Sequence, residues 1–106
     1  MLALPSSQRP TAVACATDMI AFGAMGAAQE SGLRVPDDIS FTGFDDYEKA
    51  SLSNTPLTTV HQPFYEIGKQ TVQLLESMIK EPSSPRKHVL IEPELVVRKS
   101  TSPPKN

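Results

Sequence analysis

Residues 35–46 of the chain read VPDDISFTGFDD, and they indicate its fold more clearly than any other stretch. The apolar run from Ile39 to Phe44 alternates only weakly, which is typical of a parallel strand buried on both faces. Asp45 and Asp46 follow directly, so a carboxylate stands at the carboxyl end of a strand. Because open α/β sheets bind small ligands at that edge, the stretch predicts a ligand site near Asp45.

Strands and helices alternate along the rest of the chain. Short β-branched and apolar runs predict further strands over residues 11–16, 58–61, 88–92 and 94–98. One helix is predicted over residues 18–31, where Thr17 offers an N-cap hydroxyl and Gly32 a C′ residue. A second is predicted over residues 64–80, where apolar side chains recur every three or four positions. The alternation predicts an α/β fold with a mainly parallel sheet flanked by helices.

Charge and length narrow the possible functions. The chain has 106 residues, which is one small domain or a piece of a larger protein. Ten basic and twelve acidic residues give a net charge of −2, whereas phosphate binding needs a clustered basic excess. The only tight basic group, residues 86–88, lies in a Pro/Ser-rich stretch and is interpreted as a solvated loop. The composition therefore argues against a nucleic-acid surface in this chain.

The number of cysteines and the hydropathy of the chain indicate the cellular compartment of the protein. Cys15 is the only cysteine, which excludes an intramolecular disulfide and fits a reducing compartment. It lies in an apolar run without a recognisable base nearby, so a buried structural thiol is favoured over a nucleophile. Neither a signal peptide nor an apolar segment of membrane-spanning length is recognisable. We therefore predict a cytoplasmic protein without membrane contact.

Polar residues follow each of the first three predicted strands. They are Thr17 and Asp18, Asp45 and Asp46, and His61 and Gln62. Because the carboxyl ends of parallel strands meet at one edge, we expect these residues to line a single cleft. A carboxylate there accepts hydrogen bonds from hydroxyl groups, as sugar binding requires. The ring of Phe44 or Phe64 would cover the apolar face of a sugar or a base.

Each candidate also has a purely structural interpretation. Asp45 and Asp46 before a loop are commonly turn or capping residues. Phe64 on an amphipathic helix is commonly a core residue, and His61 is commonly a surface residue. No acid–base pair with a nucleophile in reach is recognisable, so we predict no enzymatic activity. The aspartates match no cation-binding loop, so we predict neither a metal site nor a cofactor.

Four segments, taken together and in order, resemble a known family. They are PTAVACATDMIAFGAM (residues 10–25), SGLRVPDDISFTGFDD (31–46), PLTTVHQPFYEIG (56–68) and ELVVRKST (94–101). The set resembles the C-terminal part of the effector-binding core of LacI/GalR-type bacterial transcription regulators. The resemblance implies a partial periplasmic-binding-protein-like fold of type I.

The resemblance also implies roles for individual residues. Asp45 corresponds to the family's effector-binding aspartate, and Gln62 and Phe64 match positions that contact ligand in some members. Thr17 stands where the family usually has an effector-binding asparagine, so a hydroxyl replaces an amide there. The segments that usually form the dimer interface contain Ile20, Phe22, Met25 and Leu52.

The implied domain organisation is incomplete. Residues 1–10 form a leading loop, 10–61 and 94–99 the second lobe, 62–93 a segment that normally joins the first lobe, and 101–106 a disordered tail. The helix-turn-helix headpiece and almost all of the first lobe are absent from the chain. We therefore expect a fragment whose 64–78 helix either repacks or pairs with another copy to cover its apolar face.

The expected function is effector sensing by a homodimeric repressor, with a carbohydrate as the small-molecule effector. Operator DNA would be bound only through the headpiece absent from this chain. Two alternatives stay open, namely a fragment of a periplasmic sugar-binding protein and a dimerisation module without a ligand. The PLTTV run (residues 56–60) and the ELVVRKST ending favour the regulator.

Overall fold

The computed structural model describes residues 1–105, and Asn106 lies outside the described residues. In chain order the elements are β1 (Ala12–Ala14), α1 (Asp18–Glu30), β2 (Ser40–Thr42), α2 (Lys49–Leu52), β3 (Thr59–His61), α3 (Phe64–Lys80) and β4 (Glu94–Val96). The chain divides into two compact units. Unit 1 comprises Met1–His61 and the residues from Glu94 onward, and unit 2 comprises Gln62–Pro93.

The strands of unit 1 pair in two ways. β1 and β2 are parallel, with Val13 opposite Phe41, whereas β3 and β4 are antiparallel, with Val60 opposite Leu95. Isolated parallel bridges, one of them between Thr42 and Thr58, join the end of β2 to β3. The predicted parallel arrangement therefore holds from β1 to β3, and only β4 runs the other way.

The core of unit 1 lies between α1 and the strands. Its fully or nearly buried apolar residues are Ala21, Met25, Ala28, Ile39, Phe41, Ala50 and Leu57. Alanines on one face of α1 let the helix backbone approach β2 closely, and the large side chains of Ile39 and Phe41 fill the space. Burying an aromatic or branched side chain contributes about 1.5–3 kcal/mol, so these residues provide much of the driving force for folding.

The first helix begins and ends where the sequence predicts. The Thr17 hydroxyl accepts a hydrogen bond from the Ile20 N–H at 3.2 Å and so caps the N-terminus. Ser31 is the C-cap, and Gly32 follows with φ +83°, a left-handed conformation that glycine adopts without steric cost. Both ends of α1 are thus determined by local side-chain and backbone chemistry.

The polar connection predicted after β2 contains a short helix that the sequence did not predict. In α2 only Ala50 is buried, and its carbonyl accepts a hydrogen bond from the Leu57 N–H at 2.7 Å. Four residues are too few for a helical period to be visible in the sequence. The helix forms because this tertiary contact holds it against the core.

Unit 2 consists of α3 and the segment that follows it. None of the 17 residues of α3 is buried, and large apolar side chains such as Tyr65, Val72 and Ile79 are more than half exposed. The helix therefore has not repacked within unit 2 to cover its apolar face.

The predicted strand over residues 88–92 is wrong. These residues form no regular element, and Leu90 is 96% exposed. Within the part of the chain that the structure describes, no strand of unit 2 is present to accept their backbone hydrogen bonds. A β-prone sequence without a partner strand does not form a strand.

Two serines after β4 contact the strands of unit 1. Ser100 is fully buried, and its hydroxyl donates to the Phe41 carbonyl at 2.6 Å and accepts from the Thr58 N–H at 2.8 Å. The Ser102 N–H donates to the Ser40 hydroxyl at 3.0 Å. Ser102 belongs to the stretch 101–106 that was predicted as a disordered tail, and its hydrogen bond to Ser40 connects that stretch to β2, whereas Asn106 lies outside the described residues.

Candidate functional site

The candidate site lies at the edge where β2 ends. Asp45 and Asp46 both adopt positive φ angles, +109° and +62°, which residues with a Cβ rarely do. The Asp45 N–H donates to the Val60 carbonyl at 2.9 Å, and Asp45 forms a parallel bridge with His61. Aspartate tolerates the left-handed region better than most residues. Strained backbone of this kind is concentrated at functional sites, where neighbouring structure holds it in place.

The Asp46 carboxylate is engaged on both oxygens. Its Oδ1 lies 2.7 Å from Nη1 of Arg98, and its Oδ2 lies 3.0 Å from Nδ1 of His61. The hydrogen bond from the Arg98 guanidinium, followed by that from His61, lowers the pKa of Asp46 despite partial desolvation. Arg98 also donates to the Leu57 carbonyl at 3.1 Å. The arrangement ties the turn at Asp46 to β3 and to the residues after β4.

Asp18 connects the elements that surround the turn. Its side chain is fully buried, its Oδ1 accepts from the Thr59 hydroxyl at 2.6 Å, and its Oδ2 accepts from the Tyr47 N–H at 2.7 Å. The Asp18 N–H itself donates to the Phe44 carbonyl at 3.0 Å. The first residue of α1 therefore fixes the end of β2, the loop after it and β3. The sequence indicates Asp18 only as a residue of the first helical turn and of the cleft edge.

Gly43 allows this close approach. A Cβ at this position would lie against the Asp18 carboxylate, 3.0 Å from the Asp18 Cα and 2.9 Å from the Leu57 side chain. Separations this short are almost never found for real side chains, and one of the contacts is with backbone that cannot move aside. Glycine is thus required in the GFDD run (residues 43–46) because the N-terminus of α1 packs directly on it.

Comparison with known proteins establishes the family. Residues 1–101 match the periplasmic binding protein-like domain. The chain belongs to this family. Over 102 residues it is 42% identical to the HTH-type transcriptional repressor PurR of Aliivibrio fischeri, covering 96% of the chain and 30% of the repressor. It is 45% identical over 97 residues to the Ribose operon repressor of Haemophilus influenzae, covering 92% of the chain and 29% of that protein.

Solved structures agree with this assignment. A LacI family transcriptional regulator from Enterococcus faecalis with bound ribose superposes with a TM-score of 0.86 at 32% identity, covering 92% of this chain and 37% of the regulator. A dimeric Lac repressor with an 11-residue C-terminal deletion gives a TM-score of 0.81 at 42% identity, covering 91% and 35%. The resemblance to LacI-type regulators is confirmed. The chain spans about 30% of the length of its curated relatives.

The predicted ligand residues of this periplasmic-binding-protein-like domain fall in both units. Asp45 is half-buried in unit 1, next to Phe44, a residue that is 37% exposed. Thr17 is half-buried and uses its hydroxyl oxygen as the cap of α1. In unit 2 the Gln62 carbonyl accepts a hydrogen bond from the Phe64 N–H at 2.8 Å, and Phe64 is 53% exposed. Thr17, Phe44 and Asp45 therefore belong to unit 1, and the other two residues to unit 2.

The predicted interface residues differ in exposure. Ile20 and Leu52 are 55% and 73% exposed, whereas Met25 is only 6% exposed and belongs to the core. Phe22 is half-buried, with the Lys49 ammonium 4.8 Å from the centre of its ring. Met25 therefore offers little surface to a partner. Among the four predicted interface residues, the accessible apolar surface is that of Ile20, Phe22 and Leu52.

Other chemistry predicted from the sequence can be located as well. Cys15 is half-buried rather than buried, its N–H donates to the Thr42 carbonyl at 2.9 Å, and burial raises the pKa of its thiol. Among residues 1–105 no group of three or more histidine, cysteine or acidic side chains is arranged to hold a metal ion. No helix within the same residues has the length and apolar character needed to cross a membrane.

Two carboxyl groups of unit 1 have lowered pKa values, and these predict a loss of stability in acid. Hydrogen bonds from Arg34 lower the pKa of Asp38 from 3.8 to about 2, and Arg98 and His61 lower that of Asp46 from the same ordinary value. A carboxyl group whose pKa is lower in the folded state contributes its full stabilisation above its unfolded pKa and loses it as the pH falls through the folded one. We therefore expect the free energy of unfolding to fall from about pH 4 towards pH 2.

Urea unfolding of the chain at a series of pH values measures this dependence. The Asp38→Asn variant should lose less stability over the same interval, because its side chain no longer titrates. A slope in acid equal to that of the unchanged chain would show that this aspartate does not contribute.

Proposed function

We propose that the chain is the effector-sensing part of a LacI/GalR-type DNA-binding transcription regulator, and that its effector is a sugar. The observation that carries the proposal is the turn after β2, where Asp45 stands at the ligand edge of the sheet in a strained backbone. LacI family transcriptional regulators of similar structure have been solved with bound ribose, glucose or sucrose. The similarity to repressors by sequence supports the regulatory role.

In the proposed site Asp45 accepts hydrogen bonds from sugar hydroxyls. A carboxylate accepts through two oxygens, and charge-assisted bonds of this kind are among the strongest in proteins. The exposed ring of Phe44 is adjacent in sequence and would pack on the apolar face of the sugar. Thr17 would add a contact from unit 1, and Gln62 and Phe64 are proposed as ligand residues of unit 2. A few polar groups beside an aromatic surface are typical of small-molecule sites.

The remaining surfaces fit a part of a larger regulator. We propose that the apolar face of α3 packs on the first lobe, which this chain does not contain, because none of its residues is buried here. Ile20, Phe22 and Leu52 would take part in a homodimer interface. Operator DNA would be bound through a headpiece outside this chain, in the cytoplasm, and without a catalytic step. Effector binding would then act by favouring one of two conformations of the dimer.

The test is sugar binding by a regulator that carries this chain. Isothermal titration calorimetry with ribose, glucose and sucrose should detect binding of at least one of them by the unchanged protein. Asp45→Ala should weaken that binding by about 30-fold, since a hydrogen bond to a charged group contributes about 2 kcal/mol. Light scattering should give the same dimer mass for both proteins, because Asp45 is not one of the proposed interface residues.

Asp37→Ala is the matched control, since Asp37 is another loop aspartate whose side chain is 59% exposed. It should bind the sugar like the unchanged protein. If the Asp45→Ala variant binds the sugar as tightly as the unchanged protein, Asp45 is not part of the site. Binding of sugar without any effect on operator affinity would favour a periplasmic sugar-binding protein, and dimerisation without sugar binding would favour a dimerisation module.

A further inference from the structure

We infer that Asp46 is a positioning residue of the effector site, which ties the turn carrying Asp45 to the end of β3 and to the segment that follows β4. The inference rests on the proposed function for the identity of the ligand residue. The contacts themselves are independent of any ligand.

The geometry gives Asp46 a role different from that of its neighbour. Its carboxylate oxygens are separately engaged by Arg98 at 2.7 Å and by His61 at 3.0 Å. The Asp46 and Arg98 side chains are only 15% and 17% exposed. A carboxylate that is already bonded on both oxygens and largely covered is poorly placed to receive a sugar hydroxyl. Asp46 is therefore suited to holding the turn.

One partner of Asp46 lies where the chain leaves unit 1, and the other lies just after β4. His61 is the last residue of β3 and pairs with Glu94, the first residue of β4. The chain leaves unit 1 after His61 and re-enters it at Glu94. Arg98 follows β4 by two residues and reaches back to Asp46. One carboxylate thus contacts the outgoing strand and the segment after the returning strand.

The turn needs such anchoring because its backbone is unfavourable. Two consecutive residues with a Cβ have positive φ angles there. Asp45 is bonded through its N–H to the Val60 carbonyl, the residue before His61. A displacement of the end of β3 would therefore move both aspartates. A movement of Asp45 would in turn displace the same strand end. Through these hydrogen bonds, a contact of the effector with Asp45 would be coupled to the end of β3.

The first experiment measures the anchoring without a ligand. Amide hydrogen exchange of the 106-residue chain is compared between the unchanged protein, Asp46→Asn and the control Asp37→Asn. Asparagine keeps the size of the side chain and removes its charge. Protection of the Asp45 amide should fall by about tenfold or more in Asp46→Asn, since the ion pair with Arg98 is lost. Protection of the core amide of Phe41, which donates to Ser100, should stay the same.

A second variant separates the two contacts. His61→Gln removes only the imidazole, so the loss of protection at Asp45 should be smaller than in Asp46→Asn. Unchanged protection of Asp45 in Asp46→Asn would overturn the inference. A uniform loss at Asp45 and Phe41 alike would also overturn it, because it would mean a general structural role.

The second experiment uses ribose, glucose and sucrose on a regulator that carries this chain. Asp46→Asn should weaken sugar binding by about tenfold, and Asp46→Glu should restore part of it by restoring the charge. Full affinity in Asp46→Asn would contradict the positioning role. Absence of sugar binding by the unchanged regulator would instead contradict the proposed function, and hydrogen exchange alone would then decide the role of Asp46.

Discussion

Replacing Asp18 with alanine is expected to lower the free energy of unfolding of the chain by about 3 kcal/mol. The Asp18 side chain is fully buried and accepts hydrogen bonds from the Thr59 hydroxyl and the Tyr47 N–H. Removing it leaves both donors without their partner and removes an acidic group from the first turn of α1. A buried donor left unsatisfied costs about 1–3 kcal/mol. Urea unfolding followed by circular dichroism measures the loss.

Two comparisons make the result specific to the buried carboxylate. Asp18→Asn keeps the shape and one acceptor oxygen, so we expect it to lose less stability than Asp18→Ala. Asp37→Ala removes an aspartate that is 59% exposed, and its effect should stay within about 0.5 kcal/mol. A loss for Asp18→Ala no larger than that for Asp37→Ala would contradict the role of Asp18 as the link between α1 and the site.

Replacing Gly43 with alanine is expected to destabilise the chain by about 3 kcal/mol, at the upper end of the usual cost of overpacking. The added methyl group would lie 3.0 Å from the Asp18 Cα and 2.9 Å from the Leu57 side chain. The backbone of α1 would have to move away from the end of β2, which would break the Asp18 contacts described above. The turn that carries Asp45 would lose its support at the same time. Urea unfolding measures the change in stability.

Gly23→Ala is the matched control for this substitution. Gly23 lies within α1, and a Cβ there would have no atom within 4 Å outside its own helix. Alanine is favoured over glycine in a helix interior by about 1 kcal/mol, so we expect the control to be stabilised. Destabilisation by both substitutions, to a similar degree, would mean that Gly43 is not specially constrained.

Local signals in the sequence were sufficient to predict much of unit 1. The Thr17 cap and Gly32 define α1 because their effects extend over only one helical turn. The strand before Asp45 was predictable from a short apolar run between turn residues. The boundaries of α3 were predictable because its apolar positions recur with a helical period over many turns.

Contacts between distant residues were not predictable. Asp18 is bonded to Tyr47 and Thr59, 29 and 41 residues away, and nothing in its local sequence indicates burial. Ser100 is likewise buried because of Phe41 and Thr58, although its own surroundings in the sequence are polar. Tertiary partners also explain the short helix α2, whose formation depends on contact with Leu57.

The location of Asp45 was predictable from the sequence, but the backbone geometry around it was not. The end of β2 was correctly expected to carry Asp45 at the edge of the sheet, since strand direction alone determines that edge. The positive φ angles of Asp45 and Asp46 were not expected, because they depend on anchoring by Val60, His61 and Arg98. The predicted contact of Asp45 with a ligand remains a prediction.

A crystal structure of a regulator carrying this chain, with a bound sugar, tests the central proposal most directly. We expect an Asp45 carboxylate oxygen at about 2.5–3.0 Å from a sugar hydroxyl, the range of O–H···O hydrogen bonds. We also expect Asp46 to stay hydrogen-bonded to Arg98 and His61. A sugar bound with Asp45 at more than about 4 Å from all its hydroxyl groups, beyond any hydrogen bond, would contradict the proposal.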